Sequence, residues 1–215
     1  MRLELGTSVR LADGAQQTLD DVVIDASTGS VTHIVVQPEN DPSGARLVPM
    51  ELAEESTDGQ SLSLRCTTKG LEQLERVRDL AVLAAGEQPE QSSKWDVGVE
   101  DVHPTTQYTP SGFGEYGGVY DLDAVVSYDH IPKGEIELRQ ASAVYSADRH
   151  SMGSVHGVVV GADGRVTHLL LERGHLWWRR EIPLPVDVIS RFETDLVTLS
   201  VTKREVDALP RGRNR

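Results

Sequence analysis

One stretch of this chain occurs twice. Residues 9–37 read VRLADGAQQTLDDVVIDASTGSVTHIVVQ, and residues 144–172 read VYSADRHSMGSVHGVVVGADGRVTHLLLE. Both contain, in the same order, an opening strand-like segment, an Ala-Asp turn, an apolar run, a glycine turn and a Val-Thr-His triplet before three aliphatic residues. Such self-similarity predicts that the chain contains two copies of one structural unit.

The similarity continues beyond these two stretches. LVPMELA (47–53) matches EIPLPVD (181–187), each with proline at its third position. SLSLRCTTKGLEQL (61–74) then matches LVTLSVTKREVDAL (196–209). Because the matching segments follow one another in the same order, we interpret the chain as an internal duplication.

Each copy is rich in short aliphatic and β-branched runs that end at glycine turns, a pattern typical of β-strands. Residues 22–37 predict a hairpin that turns through Ser27, Thr28 and Gly29, and residues 158–172 predict one that turns at Ala162-Asp163-Gly164. Glycine permits the positive φ that a tight hairpin turn requires. Because the apolar runs are nearly continuous, we expect strands that are buried on both faces, as in a small closed barrel.

Both copies are expected to end in a helix. In the second copy, Thr202 and Glu205 form a capping-box pattern, and Pro210 follows as a stop signal. In the first copy a longer helix is predicted, which ends at Gly86. Its apolar residues recur at helical spacing: Leu71, Leu74, Val77, Leu80 and Leu83.

These patterns predict a mainly β fold of two small barrels, each followed by a helix and joined by a long loop. The first domain covers residues 1–86 and the second covers residues 135–210. Residues 87–134 are interpreted as a linker that is rich in glycine, proline and serine and is ordered in part at most. A basic tail follows at residues 211–215.

The repeated segments resemble the PRC-barrel, a small β-barrel named for the photosynthetic reaction-centre H subunit and also found in the ribosome-maturation factor RimM. In the second copy the resemblance rests on residues 152–155, 164–171 and 182–184, and in the first copy on their counterparts. The first copy departs from the family pattern, because Thr18-Leu19 replaces a small Ile-Gly-like pair. The resemblance is to bacterial tandem proteins of this family and implies a docking or assembly role rather than catalysis.

Charge and composition restrict the partners. A formal net charge of −13 argues against nucleic acid as the general partner, because a polyanion needs a basic surface. The chain has no apolar run long enough to span a membrane and no secretory signal pattern, so a cytoplasmic location is expected. Cys66, the single cysteine, excludes an internal disulfide and is interpreted as an inert buried thiol.

The histidines offer the main alternative to a non-enzymatic role. His33 and His168 follow the same Val-Thr pair, and the structural interpretation is a histidine at a strand edge or barrel end with a hydrogen bond to backbone. The alternative is a metal-binding, ligand-binding or catalytic site, in which His156 and His168 face each other and Glu172 is a third ligand. Since no spacing is diagnostic, neither a metal nor a cofactor is expected.

The preferred interaction surface lies in RGHLWWRREIPLP (173–185). Adjacent tryptophans on a strand point to opposite faces, so only one is readily buried, and Trp and Arg are enriched at binding hot spots. The expected contact residues are His175, Trp177, Trp178, Arg179 and Arg180. We predict a non-enzymatic protein-interaction module that binds an acidic segment of a partner or a second copy of the chain. The remaining alternative is association with RNA or the ribosome, which the acidic charge opposes.

Overall fold

A computed structural model describes residues 1–39, 41, 44–56, 61–83, 95–105, 123–174, 180–193 and 195–209. Over residues 78–83, 95–105 and 123–129 the description is of the backbone alone. The chain is mainly β. It divides into two compact units, of which the larger combines Met1–Glu75 with Gly134–Arg215 and the smaller is Arg76–Lys133.

The strands and helices follow in chain order. The strands are β1 (Arg2–Glu4), β2 (Ser8–Arg10), β3 (Gln16–Asp25), β4 (Val31–Gln37), β5 (Arg46–Pro49), β6 (Ala53–Glu55), β7 (Leu62–Leu64), β8 (Arg78–Leu83), β9 (Trp95–Thr105), β10 (Asp123–Pro132), β11 (Glu135–Arg139), β12 (Ala143–Tyr145), β13 (Ser151–Val160), β14 (Val166–Arg173), β15 (Arg180–Pro185), β16 (Ile189–Glu193) and β17 (Leu196–Leu199). The α-helices are α1 (Thr68–Glu72) and α2 (Lys203–Asp207), and single 3-10 turns cover Met50–Leu52 and Val186–Val188.

The larger unit contains two seven-stranded sheets. In the first sheet the strand order is β5-β4-β3-β2-β7-β6, and in the second it is β15-β14-β13-β12-β17-β16. In each sheet one long strand, β3 or β13, forms a hairpin with the strand that follows it. The seventh strand pairs with this long strand: β11 with β3, and β1 with β13.

The seventh strands are exchanged between the sheets. β1 precedes β2 of the first sheet, yet it pairs with β13 of the second, with Leu3 opposite Val158. β11 precedes β12 of the second sheet, yet it pairs with β3 of the first, with Leu138 opposite Val22. Each sheet is therefore completed by a strand from the other part of the chain.

One hydrophobic cluster joins the two sheets. Leu3, Leu138, Val22 and Val158 are all buried members of it, so the exchanged strands contribute directly to the shared core. The opposite face of the long hairpins is buried as well. Val23 and Val35 lie on that face, outside the cluster, and are fully buried. The expectation of strands buried on both faces is confirmed here.

Both predicted hairpins are present, with the predicted turns. Gly29 has φ of +70° and Gly164 has φ of +80°, so each turn uses a conformation that glycine tolerates best. The turns also contact each other, since the Val31 N–H donates to the Gly164 carbonyl at 3.0 Å and the Val166 N–H donates to the Gly29 carbonyl at 2.9 Å.

The long helix predicted at the end of the first repeat is wrong. α1 ends at Glu72, and residues 78–83 form a strand of a three-stranded antiparallel sheet with order β8-β10-β9. Part of the predicted long loop is strand as well, since β9 covers residues 95–105 and β10 begins at residue 123. Leu80 and Leu83 fit a helical spacing, but Leu80 and Val82 also fit a period of two, and pairing with β10 selects the strand.

Strand pairing also corrects the sequence alignment. Pro49 lies opposite His33, and Pro185, rather than Pro183, lies opposite His168. Both prolines precede a 3-10 turn and have nearly the same backbone angles, φ −55° and ψ 135° against φ −56° and ψ 141°. The sequence comparison matches Pro49 with Pro183, whereas strand pairing matches it with Pro185, two residues further on. The difference arises because the comparison used a short Pro-containing motif and not the pairing of the strands.

Strand pairing also changes which residues of the first copy replace the small Ile-Gly-like pair of the family pattern. Ser8 lies opposite Thr18 and Ala143 lies opposite Ser154, so Thr18 corresponds to Ser154. Gln17, not Leu19, therefore stands where the second sheet has Gly153. Gly153 has φ of +137°, and a Cβ there would lie 2.1 Å from the Glu172 carbonyl oxygen, whereas the first sheet accommodates a full side chain.

Asp13 and Asp148 hold the starts of the two short helices in the same way. The Asp13 carboxylate accepts a hydrogen bond from the Thr68 N–H at 2.8 Å, and the Asp148 carboxylate accepts one from the Lys203 N–H at 3.1 Å. The hydrogen bonds from Thr68 lower the pKa of Asp13. A hydrogen bond from Ser146, followed by that from Lys203, lowers the pKa of Asp148.

We expect Asp13→Asn and Asp148→Asn to destabilise the protein at neutral pH and to match wild type in acid. A carboxyl with a lowered pKa stabilises the folded state above its unfolded pKa, and this contribution is lost as the pH falls through the folded pKa. Urea unfolding at a series of pH values measures the difference. Asp187→Asn, at an exposed position, is the control. If either variant is destabilised equally at neutral and acid pH, the charged carboxylate does not stabilise the start of its helix.

Candidate functional site

The predicted contact surface lies at the end of the β14–β15 hairpin. His175, Trp177, Trp178 and Arg179 lie outside the described residues, so their placement stays a prediction. Arg180 is described: it is the first residue of β15 and is exposed. The candidate surface is therefore built here from Arg180 and the side chains around it.

Two like-charge pairs lie side by side on this hairpin. Arg180 is directly opposite Arg173, and Glu181 is directly opposite Glu172. Like charges at directly opposed strand positions are destabilising unless other groups neutralise them. The partners of these four side chains therefore decide what the surface can bind.

Three of the four charges have partners in the structure. Arg173 forms an ion pair with Asp207 of α2, and Glu181 forms one with Arg2 of β1. Glu172 also has an interaction of its own. Arg180, in contrast, forms no salt bridge with another described residue, which leaves an exposed guanidinium beside a second arginine.

Arg2 connects the exchanged strand to this hairpin. Its guanidinium donates to Glu4 at 2.6 Å and also binds Glu181. Burial by itself would lower the pKa of Arg2, but the hydrogen bonds to Glu181 and Glu4 raise it. Arg2 was not predicted from the sequence; the available signal was the charged pair that flanks Leu3 in Arg2-Leu3-Glu4.

The outer edge of β15 presents few hydrogen-bond donors. Leu170 lies opposite Pro183 and His168 lies opposite Pro185, and proline has no N–H to donate to a neighbouring strand. Because successive residues of a strand point their backbone groups to alternate sides, Pro183 and Pro185 face outwards. The equivalent outward group in the first sheet, the Leu47 N–H, donates to the Glu75 carbonyl at 2.9 Å.

The structure does not bring together the residues of the proposed metal site. His168 lies opposite Val159, and Glu172 lies opposite Ser154. His156 lies at a bulge of β13, with Nε2 3.8 Å from Glu4 Oε2. Within the described ranges, no three His, Cys, Asp or Glu residues are grouped so that they could hold a metal ion.

His33 and His168 have similar surroundings, which differ from those expected. Their Nδ1 atoms lie 3.1 Å from Thr32 Oγ1 and 3.2 Å from Thr167 Oγ1, so the preceding threonine is the neighbour rather than backbone. β4 and β14 are interior strands, not edges. His33 also lies 3.5 Å, through Nδ1, from Glu135 Oε2 of β11, whereas His168 has no ion pair with another described residue.

Asp25, at the end of β3, supports the hairpin turn that follows it. Its Oδ1 accepts hydrogen bonds from the Ser27 N–H at 2.7 Å and from the Ser27 hydroxyl at 2.6 Å. The Ser27 hydroxyl and N–H lower the pKa of Asp25. We therefore assign Asp25 to turn formation.

Cys66 is a free thiol in a partly buried position, and burial raises its pKa. The thiolate is the reactive form, so we expect iodoacetamide at neutral pH to modify Cys66 in the native protein more slowly than in urea. Mass spectrometry of the alkylated protein over time measures both rates. Equal rates, or a faster native reaction, would show that Cys66 is activated rather than inert.

No described helix is long and apolar enough to cross a bilayer. Comparison of the chain with protein-family models and with curated proteins finds no match.

Proposed function

We propose that this chain is a non-enzymatic protein-interaction module whose larger unit consists of two PRC-barrel-type copies of duplicated origin. The equal strand orders of the two sheets, the matching hairpins and the equivalent roles of Asp13 and Asp148 support the duplication. The exchange of β1 and β11 supports a single module, because neither sheet is complete without the other part of the chain.

The observation that carries the interaction role is Arg180, which is exposed, lies opposite Arg173 and forms no salt bridge with another described residue. An acidic group that binds this exposed guanidinium neutralises its charge. Arginine also pairs with carboxylates in a planar, bidentate geometry. We therefore propose an acidic peptide segment as the partner. His175, Trp177, Trp178 and Arg179 are adjacent in sequence and would supply the remaining contacts.

The binding mode that we propose uses side chains rather than strand addition. A peptide that extends a sheet needs a row of backbone donors and acceptors on the edge strand. Pro183 and Pro185 remove two of the outward donors of β15. Prolines at such positions also protect an edge from unwanted pairing. Trp177 and Trp178 would then provide the apolar contact area and Arg180 the charge.

The test is affinity purification from the native cell with wild type, Trp177→Ala and Arg180→Ala as baits, followed by binding measurements on any acidic protein that is recovered. Loss of a hot-spot residue weakens binding by about tenfold or more, corresponding to about 1.4 kcal/mol or more. We expect both variants to lose the same partner, and we expect its binding to wild type to weaken with added salt.

Arg191→Ala is the matched control. Arg191 is an exposed arginine on β16 and lies 3.1 Å from Glu193, so its loss removes one surface charge far along the sheet order from β15. It should retain every partner. A partner set that is identical for wild type, Trp177→Ala and Arg180→Ala would overturn the proposed surface.

A further inference from the structure

Arg46 is the most anomalous charged side chain of the larger unit. It is the first residue of β5 and only 9% exposed. Its Nε and Nη1 atoms are buried and have no hydrogen-bond partner in the structure, and Arg46 forms no ion pair with another described residue. Buried charges are normally paired, so Arg46 is an exception among the described residues.

Strand pairing places Arg46 on the core face of the first sheet. Arg46 lies opposite Val36, which lies opposite Leu19, and both of these apolar residues belong to the shared core cluster. Directly opposed residues share a face of the sheet. Arg46 therefore ends a row of core residues that crosses three strands.

Gln17 is a second polar residue on the same face. It lies opposite Val9, another core residue, and its Oε1 is buried without a hydrogen-bond partner in the structure. Rotating its amide by half a turn exchanges the oxygen and nitrogen, so Gln17 can also present a donor. Two inward-facing polar groups thus occupy one end of the first sheet.

The second sheet shows that the fold itself does not need these groups. The position that corresponds to Arg46 is Ile182, which lies opposite Leu171, and the position that corresponds to Gln17 is Gly153. The second sheet has the same strand order with an apolar residue and a glycine at these two positions. The arginine and the glutamine are therefore specific to the first sheet.

Asp20, an acidic residue of β3, lies on the other face of the sheet. Gln37 is adjacent to Val36 and so points away from the core, and its Nε2 donates to Asp20 Oδ1 at 3.1 Å. Asp20 therefore lies with Gln37 on the face opposite to Arg46. Asp20 is therefore not placed to neutralise Arg46.

We infer that Arg46, with Gln17 at the same end of the sheet, forms a binding site for a small oxyanion, either a phosphate or a carboxylate group, on the core face of the first sheet. A guanidinium carries its charge and its five donors in one plane, and this planar set of donors suits phosphate and carboxylate oxygens. The shielding of Arg46 from solvent means that the anion enters when the start of β5 opens. The site does not involve Arg180 and does not depend on the proposed partner surface.

The test compares urea unfolding of wild type and Arg46→Ile in chloride, in inorganic phosphate and in acetate at equal ionic strength. A ligand that binds only the folded state raises stability with its concentration. We expect the unfolding midpoint of wild type to rise with phosphate or acetate, and that of Arg46→Ile to stay constant. In chloride alone Arg46→Ile should be the more stable protein, because isoleucine leaves no buried charge.

Two variants serve as controls. Arg10→Gln removes an exposed arginine of β2, and Arg180→Ala removes the proposed partner contact; both should keep the response of wild type. A rise with phosphate alone identifies a phosphoryl ligand, and a rise with acetate identifies a carboxylate. If neither anion raises the midpoint of wild type, or if Arg46→Ile responds equally, the site does not exist.

Discussion

Gly157→Ala is expected to destabilise the protein by about 3 kcal/mol, because the added methyl has no space and the backbone around it must move. A Cβ at position 157 would lie 2.1 Å from the Leu3 carbonyl oxygen and 3.0 Å from the Glu4 Cα. Gly157 lies directly opposite Glu4 in the β1–β13 pairing. The substitution therefore forces the exchanged strand β1 away from the second sheet, with the loss of Leu3 from the core.

Hydrogen exchange locates this effect. The Leu5 N–H donates to the His156 carbonyl at 2.8 Å, and the Val160 N–H donates to the Met1 carbonyl at 2.8 Å, so both amides report on the docking of β1. In Gly157→Ala these two amides should lose protection before those of β3 and β4. Urea unfolding measures the accompanying loss of stability.

Gly70→Ala is the matched control for a glycine-to-alanine change. Gly70 is helical, and the nearest atom to its added Cβ would be the Cys66 Cβ at an ordinary distance of 3.5 Å. Alanine in a helix is more favourable than glycine by about 1 kcal/mol, so this variant should be at least as stable as wild type. Wild-type stability and full protection of the Leu5 amide in Gly157→Ala would contradict the close approach of Leu3 and Glu4 to Gly157.

Arg139→Met is expected to destabilise the protein by about 3–5 kcal/mol, because it leaves a buried carboxylate without its cation. Arg139 donates to Glu137 Oε2 from Nε at 2.7 Å and from Nη2 at 2.6 Å. Glu137 is 1% exposed, and Asp21, which lies directly opposite Arg139, is 2% exposed. All three lie at the pairing of the exchanged strand β11 with β3.

A double-mutant cycle separates the ion pair from the packing. Removing both charges in Glu137→Leu/Arg139→Met should recover most of the lost stability, because replacing both partners of a buried pair with apolar residues is often neutral or favourable. Urea unfolding of the four proteins provides the coupling free energy. Asp21 keeps a hydrogen-bond donor in the double variant, because its Oδ1 accepts from the Gln140 N–H at 3.2 Å.

Arg191→Met provides the comparison at the surface. Arg191 and Glu193 have the same two-residue spacing as Glu137 and Arg139, but the Arg191 side chain is 72% exposed. An exposed pair contributes about 1 kcal/mol or less. If Arg139→Met is no more destabilising than Arg191→Met, the charges at the β3–β11 pairing do not stabilise the exchange.

These charges also explain why each exchanged strand pairs where it does. β11 places Arg139 opposite Asp21, whereas the corresponding residue of β1 is Glu4, which lies opposite Gly157. If β1 paired with β3 in the same register, Glu4 would oppose Asp21, and like charges at opposed positions are unfavourable. The exchanged arrangement avoids that repulsion.

The sequence was most informative where local chemistry decides the structure. Gly29 and Gly164 identify the two hairpin turns, because a tight turn between strands needs positive φ. The continuous aliphatic runs predicted strands buried on both faces, and Val22 and Val23 are both fully buried. These features depend on residues that are close together along the chain.

The sequence pattern was insufficient where the same apolar residues fit both a helix and a strand. Leu80 and Leu83 fit a helix with Leu71, Leu74 and Val77, but residues 78–83 pair with β10 instead. The alternation in Trp95-Asp96-Val97-Gly98-Val99 was a strand signal within a segment interpreted as loop. Whether this segment forms a strand depended on pairing with a strand more than twenty positions away in the sequence.

The sequence by itself therefore determined the two hairpins, their turns and the mainly β character of the chain. The tertiary structure decided which strand completes which sheet, which proline lies opposite each histidine, and that Arg46 faces the core. The physical reason is that turn geometry and side-chain alternation are set by neighbours in the chain. Strand partners are selected by pairing, burial and charge across distant segments, such as Leu3 against Val158 and Arg139 against Asp21.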